Sequence, residues 1–261
     1  MTNLETAVEE IWQQPSALPP LPANTIHIWR LRPENRLAAH DYIAFLQPEE
    51  RERASRLLFS ADQQQSIASR GTLRLLLAHY ASTYTGTEDP RDLRLSYGEQ
   101  GKPYLAGSNL RFNLSHTRSL ALFAFAREVD LGIDVEDIQA SDDLDAVTEQ
   151  NFAPAERAAL LALPQPERAA AFYRCWTRKE ALLKAEGSGL FRALDTFAVS
   201  FLSGEPAKVV AGADGWELRH IDAAPHAVGA IAWEHRNPAP AFTFLDCSQS
   251  LFSKQGQRRK K

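Results

Sequence analysis

The sequence predicts an α+β protein, a pseudo-dimer of two similar α+β halves with the active site in the cleft between them. The order strand, short helices, long helix and further strands occurs twice along the chain. When Pro-Glu-Glu-Arg at 48–51 is aligned with Pro-Ala-Glu-Arg at 154–157, Arg74 is aligned with Glu180. Because clefts between packed halves commonly hold small molecules, we expect basic and acidic walls to face each other across a ligand.

The first half is expected at residues 25–127, after a proline-rich, extended and loosely attached lead-in at residues 1–24. Residues 25–29 form a short predicted strand, and residues 61–84 show the apolar spacing of a long amphipathic helix. The other elements expected in this half are short helices at about 37–46 and 48–58, a hairpin punctuated by glycine and proline at 96–104, and a buried strand at 120–126 that follows the segment 110–117.

The second half is expected at residues 128–247. Its long helix, at about residues 166–186, begins with Pro166, where the missing N–H costs nothing, and ends before Gly187. The other features expected here are a half-buried strand at 131–136, strands around 218–219 and 227–233, and a disordered basic tail at 248–261.

Composition is that of an ordinary globular protein and argues against two kinds of partner. Hydrophobic residues make up 44% of the chain and charged residues 24%, which allows a substantial core. The net charge of -4 argues against a nucleic-acid-binding surface. No apolar run is long enough for a membrane span, and the first residues lack a signal-peptide pattern. Because Cys175 and Cys247 are too few for a disulfide framework or a zinc site, we expect a cytoplasmic protein.

Two carboxylates share one face of a predicted strand in the second half. Within residues 131–136, apolar side chains alternate with Gly132, Asp134 and Glu136, which is the period of a half-buried strand. If a helix carboxylate such as Glu180 converges with them, three oxygen ligands meet. A hard divalent cation such as Mg2+ binds through a few carboxylates and keeps its other positions for water and phosphate oxygens.

The long helix of the second half carries that third carboxylate between two lysines. Glu180 and Lys184 lie one helical turn apart, with Lys179 beside them. The lysines would face an anionic ligand, which we expect to be a phosphate ester or anhydride. Taken alone, the helix is equally typical of a solvated amphipathic surface in which Glu180 and Lys184 form an ion pair.

Four sequence motifs resemble those of one enzyme family. The strand reads Gly-Ile-Asp-Val-Glu at 132–136, and the helix reads Trp-Thr-Arg-Lys-Glu-Ala-Leu-Leu-Lys at 176–184. Supporting motifs are Gly-Lys-Pro at 101–103 and Phe-Asn-Leu-Ser-His at 112–116. Over about residues 25–233, the chain resembles the Sfp-type 4′-phosphopantetheinyl transferases.

The resemblance implies that one CoA binds in the cleft with Mg2+, for which Mn2+ is the alternative. It implies transfer of phosphopantetheine from CoA to a serine of an apo acyl or peptidyl carrier protein, with release of adenosine 3′,5′-bisphosphate. Asp134, Glu136 and Glu180 match the metal-binding acids of the family. Glu180 also matches the residue that activates the serine, and Lys184 matches its supporting cation. A monomer is expected, with no nucleic-acid or membrane partner.

The phosphates and ribose of CoA need further basic partners. By their positions in the family motifs, His116 and Lys102 are the first candidates for CoA binding, followed by Arg74 and Arg70. Lys179 joins Lys184 as a candidate for stabilising the charge that develops on the phosphates during catalysis. For Arg70, a solvated helix charge is an equally good interpretation.

Two other functions remain open from the sequence. A metal-dependent phosphohydrolase, acting on a nucleotide or on the CoA pyrophosphate, could use the same acids and lysines with water as the nucleophile. A nucleotide-binding or carrier-binding module with a degenerate site would do no chemistry, although the retention of three acids and two lysines argues against degeneracy. Cleavage of CoA without a carrier protein would indicate the hydrolase.

Overall fold

Two main β-sheets, each covered by one long helix, form the framework of the protein. The computed structural model describes residues 10–85, 89–141 and 143–252. The elements in chain order are β1 (Thr25–Leu31), α1 (Ala39–Ile43), α2 (Pro48–Ser55), α3 (Ser60–Thr85), β2 (Ser96–Tyr97), β3 (Pro103–Tyr104), β4 (Leu110–His116), β5 (Ala121–Arg127), β6 (Leu131–Asp137), α4 (Leu144–Asn151), α5 (Pro154–Leu161), α6 (Gln165–Glu186), β7 (Ala198–Val199), β8 (Val209–Ala211), β9 (Trp216–Ala224), β10 (Ala227–Glu234) and β11 (Ala241–Asp246). The predicted α+β class is confirmed.

The two main sheets pack against each other, and the long helices cover their outer faces. The first sheet has the order β11-β1-β5-β4 and the second has the order β6-β10-β9. Because side chains alternate along a strand, Ile26 and Ile28 of β1 join the core shared by both sheets, whereas Trp29 packs with α3. Leu182 of α6 packs with Ala232 on the other sheet. None of the helices within the described ranges combines the length and apolar composition of a membrane span.

A buried glutamate in each half explains the repeat seen in the sequence. Glu50 in α2 and Glu156 in α5 each accept a hydrogen bond, at 2.9 Å, from the backbone N–H three residues earlier. Each also pairs with a base on the long helix of its own half: Glu50 with Arg74 at 2.5 Å, and Glu156 with Lys179 at 2.7 Å. Lys179 is therefore the counterpart of Arg74. The expected match between Arg74 and Glu180 is wrong by one position, and the two do not form facing walls.

The last strand returns to the sheet of the first half, although the sequence suggested that the second half extends over residues 128–247. β11 pairs in parallel with β1, next to antiparallel β5. Buried Asp246 at the end of β11 pairs with Arg30 of β1 at 2.8 Å. Pairing between the two ends of a chain leaves no local pattern in the sequence, so the hydrophobic periodicity could not indicate it.

The described parts of the expected lead-in and tail, residues 10–24 and 248–252, pack against the rest of the chain. Trp12 lies edge-on to Phe244 with ring centroids 5.2 Å apart, and the backbone N–H of Gln13 donates to the carbonyl of Phe244. At the other end, Leu251 and Phe252 are buried in the core beneath α3. The first part of the expected lead-in, residues 1–9, and the basic part of the expected tail, residues 253–261, lie outside the described residues.

Candidate active site

A glycine allows the acidic strand to lie directly against the long helix of the second half. At Gly132 in β6, a Cβ atom would lie 2.2 Å from the backbone N of Ala185 and 2.3 Å from the carbonyl O of Ala181, both in α6. These separations are far shorter than van der Waals contact, so a larger residue would push the two elements apart. The close approach places Asp134, two residues further along β6, against Lys184 of α6.

Gly132→Ala is therefore expected to lower the free energy of unfolding by about 2–3 kcal/mol, because the added methyl group meets backbone atoms that cannot rotate away. Urea unfolding measures the change. Gly98→Ala is the matched control, since its new Cβ would meet only the Lys102 carbonyl O at 3.7 Å, an ordinary contact. Equal stabilities of the two variants would contradict the close approach of β6 to α6.

Asp134 is the most deeply buried carboxylate of the candidate site. The residue is 3% exposed. Its Oδ1 accepts hydrogen bonds from the Ser115 hydroxyl at 2.8 Å and from the Lys184 ammonium at 2.6 Å. Its Oδ2 is buried and has no hydrogen-bond partner among the described residues. Because buried polar atoms normally find a partner, this oxygen is a candidate ligand atom.

Side chains from β4 fasten the acidic strand to the first half. β4 and β6 are edge strands of different sheets. Asn113 Oδ1 accepts a hydrogen bond from the Ile133 backbone N–H at 3.0 Å, and two residues later Ser115 reaches Asp134. The motif at residues 112–116 drew attention to its histidine, so sequence reasoning missed these two roles. The period-2 spacing of Asn113 and Ser115 is the signal that could have indicated them.

Asp134, Glu136 and Glu180 form a set of carboxylates that repel one another. Loss of hydration raises the pKa of Glu136 to about 7, repulsion from Asp134 adds to the shift, and Lys184 opposes it. Loss of hydration, followed by repulsion from Asp134, also raises the pKa of Glu180. Each of these two groups therefore holds its proton more strongly than a solvated carboxyl does.

The donor atoms of this set suit a hard divalent cation, but the structure has not gathered them around one point. Across the described ranges, no three or more His, Cys, Asp or Glu side chains are close enough together to hold a metal ion. In favour of a cation are the unpaired buried Oδ2 of Asp134 and the repulsion among the three carboxylates. Glu136 and Glu180 would have to move toward Asp134 Oδ2 to complete the set.

Glu136→Gln is expected to flatten the pH dependence of stability. The carboxyl has a pKa of about 7 in the folded protein and about 4.3 in the unfolded chain. At pH values between these two, the folded protein therefore binds more protons than the unfolded chain. The free energy of unfolding of the metal-free wild-type protein should therefore fall as pH rises from about 5 to about 7. Urea unfolding across this range measures the slope.

The slope should be shallower in the Glu136→Gln variant than in the wild-type protein. Loss of hydration also raises the pKa of Glu10 to about 7. Because Glu10 titrates in both proteins, the difference between the two slopes reports on Glu136. Identical slopes would contradict the raised pKa of Glu136.

Two basic side chains predicted to act in the site are instead structural. Lys179 is fully buried. Its ammonium donates to the carbonyl oxygens of Leu194 at 2.8 Å and Phe197 at 2.6 Å, and it pairs with Glu156. Arg74 is 2% exposed and bonds to the capping glutamate of α2 and to two backbone carbonyls. The catalytic role for Lys179 and the CoA-binding role for Arg74 are therefore wrong, because neither side chain is free to meet a ligand.

Lys102 lies next to the site, but its ammonium already has partners. It donates to the carbonyl oxygens of Leu131 at 3.0 Å and Ala185 at 2.7 Å, which fastens the start of β6 to the end of α6. Loss of hydration lowers the pKa of Lys102 to about 8, and the Arg111 charge adds to the shift, whereas Asp130 opposes it. The contact of Lys102 with CoA stays a prediction.

The other two CoA-binding candidates, His116 and Arg70, lie within electrostatic reach of each other at the end of β4. Loss of hydration, then the Lys184 and Arg70 charges, lower the pKa of His116. The Arg70 Nε lies 3.6 Å from Glu50 Oε1, and its buried Nη1 has no hydrogen-bond partner among the described residues. Both contacts with CoA stay predictions.

A cavity of about 300 Å³ opens beside the carboxylates and could take part of a small molecule. Glu180 and Lys184 of α6 line it together with Lys102. Leu114 and Leu183 supply apolar surface. The cavity lies between the two α+β halves and has both polar and apolar walls. Together with the carboxylates and a lysine, it defines a site suited to the transfer of a phosphate-linked group.

Comparisons with known proteins identify the family. A family model described as 4′-phosphopantetheinyl transferase superfamily matches residues 130–232, and one described as 4′-phosphopantetheinyl transferase, N-terminal, matches residues 29–128. The 4′-phosphopantetheinyl transferase HetI of Nostoc sp. is 34% identical over 217 residues, which cover 80% of this chain and 88% of HetI. The chain belongs to the 4′-phosphopantetheinyl transferase superfamily, and the resemblance stated from its motifs is confirmed.

Further similarities are weaker. The 4′-phosphopantetheinyl transferase Sfp of Bacillus subtilis is 29% identical over 173 residues, which cover 66% of this chain and 74% of Sfp. Among solved structures, the holo-acyl-carrier-protein synthase of Thermotoga maritima matches 41% of this chain and 63% of its own, with 18% identity and a TM-score of 0.32. That structural similarity is too low to bear on the arrangement of the halves.

Proposed function

We propose that the protein transfers the 4′-phosphopantetheine group of CoA to a serine hydroxyl of an apo acyl or peptidyl carrier protein. The products are the holo carrier protein and adenosine 3′,5′-bisphosphate. The observation that carries the proposal is the position of Glu180, beside Asp134 and Lys184 on the wall of a cavity. Membership of a transferase superfamily supports the transferred group and leaves the phosphohydrolase alternative without support.

Glu180 is proposed to accept the serine proton while the serine oxygen attacks the phosphorus attached to pantetheine. The raised pKa of Glu180 supports this role, because a base works best when its pKa lies near the working pH. The bond between that phosphorus and the bridging pyrophosphate oxygen then breaks, and adenosine 3′,5′-bisphosphate leaves. Lys184 is proposed to stabilise the charge that develops on the phosphate oxygens.

Asp134, Glu136 and Glu180 are proposed to hold a Mg2+ ion, with Mn2+ as the alternative. When bound, such an ion neutralises charge on pyrophosphate oxygens. Ser115 supports the site by orienting Asp134 Oδ1, which leaves Oδ2 available as a ligand. His116 is proposed to contact CoA, with Lys102 and Arg70 as further partners.

The protein is proposed to act as a monomer in the cytoplasm. A single chain contains both halves and the cavity between them, so a second copy is not needed to build the site. Cys175 and Cys247 are buried free thiols, which suits a reducing compartment.

Release of adenosine 3′,5′-bisphosphate from CoA and Mg2+, measured with and without an apo carrier protein, tests the reaction class. A transferase should release the nucleotide only when the carrier is present, in a one-to-one ratio with holo carrier formed. Release at the same rate without a carrier would contradict the proposal and restore the phosphohydrolase.

A further inference from the structure

The ammonium of Lys184 pairs with Asp134, one of the three carboxylates of the site. Its Nζ lies 2.6 Å from Asp134 Oδ1 and 3.1 Å from the Ser115 hydroxyl. Glu136 and Glu180 also lie within electrostatic reach of this ammonium. The side chain of Lys184 is 31% exposed, whereas that of Asp134 is 4% exposed. The lysine is therefore the partner that can move out to solvent.

Asp134 is a buried carboxylate that a nearby positive charge stabilises. A buried carboxylate whose partner is removed is strongly destabilising, because nothing replaces the lost hydration. In the structure that partner is Lys184, and its bond to Oδ1 leaves only Oδ2 unpaired. A divalent ion on Oδ2 would lie within a few ångströms of the ammonium on Oδ1, and the two positive charges would repel strongly in a poorly hydrated site.

We propose that Lys184 is the resident cation of the metal-free site and competes with the divalent metal for Asp134. This inference rests on the metal site of the proposed function. Metal binding then requires Lys184 to leave Asp134, whose Oδ1 it now holds. The phosphates of CoA would attract the released lysine, so CoA and metal strengthen each other's binding.

Metal binding without CoA tests the competition separately from catalysis. Titration with Mn2+, followed by the electron paramagnetic resonance signal of the free ion, measures affinity in the wild-type protein and in Lys184→Gln. Removing the competing charge should tighten Mn2+ binding about ten-fold. Lys184→Arg keeps the charge and should bind no tighter than the wild-type protein. Lys208→Gln, a change at an exposed residue, controls for the loss of one positive charge from the chain.

A measurement on the wild-type protein covers the case in which Lys184→Gln does not fold without metal. Amine labelling followed by peptide mass spectrometry should show that Mg2+ alone increases the labelling of Lys184, because the ion releases it from Asp134, while labelling of Lys208 stays constant. Unchanged labelling of Lys184, or Mn2+ binding to Lys184→Gln that is equal to or weaker than wild type, overturns the competition. If transfer activity is intact in the same preparation, only this inference fails; if transfer is also absent, the proposed function fails.

Discussion

Glu180→Gln is expected to lower the rate of phosphopantetheine transfer about a thousand-fold, within the range that a positioned general base contributes. The amide has nearly the same shape as the carboxylate, but it cannot accept the serine proton and is a poorer ligand for a hard cation. The fold should be retained, because Glu180 is half-buried and its charge is repelled by Asp134. The rate of holo carrier formation at saturating CoA measures the loss.

Glu167→Gln provides the matched control for this prediction. Glu167 lies in the first turn of the same helix, α6, and is exposed. The two variants make the same chemical change at opposite ends of one helix, so only the variant in the site should lose transfer. A Glu180→Gln protein with wild-type turnover would refute the role of Glu180 as base and as metal ligand.

Lys179→Met is expected to lower the free energy of unfolding by about 3–5 kcal/mol, the usual cost of leaving a buried charge without its partner. Glu156 would lose its ion-pair partner at 2.7 Å in a site where both side chains are almost fully excluded from water. The backbone N–H groups of Ala153 and Val199 would still donate to the Glu156 carboxylate, but they cannot neutralise it. Urea unfolding measures the loss.

A double-mutant cycle separates this structural role from a catalytic one. Lys179→Met combined with Glu156→Gln should lose less stability than the sum of the two single changes, because each single change leaves one buried group unpaired. The folded fraction of Lys179→Met should keep wild-type turnover at low temperature. A variant that is as stable as wild type but inactive would contradict the structural assignment and restore the catalytic role predicted from the sequence.

Local periodicity predicted the acidic strand and its partner helix correctly. Alternation within residues 131–136 placed Asp134 and Glu136 on one face, and β6 covers the same residues. Proline at the start and glycine at the end placed the long helix correctly, and α6 ends where Gly187 adopts a φ of 70°. The position of Gly132 within the strand was also a usable signal, since a glycine there often marks a close approach of another backbone.

The sequence could not distinguish Lys179 from Lys184, because that difference depends on distant parts of the chain. Both lysines lie close to Glu180 on the helix, but Lys179 forms an ion pair with Glu156 and donates hydrogen bonds to carbonyl oxygens of a segment that follows α6. Arg74 was misjudged for the same reason, since its partner Glu50 lies in another helix. Helical spacing predicts which side chains share a stripe, but it does not predict which stripe a later segment covers.

The measurement that tests the proposed transfer most directly is the intact mass of an apo carrier protein incubated with this protein, CoA and Mg2+, with EDTA added to a parallel sample. We expect a gain of one phosphopantetheine group on the carrier serine in the presence of Mg2+ and no gain with EDTA. No gain with acyl and peptidyl carrier proteins alike, under conditions in which the protein is folded and binds CoA, would contradict it.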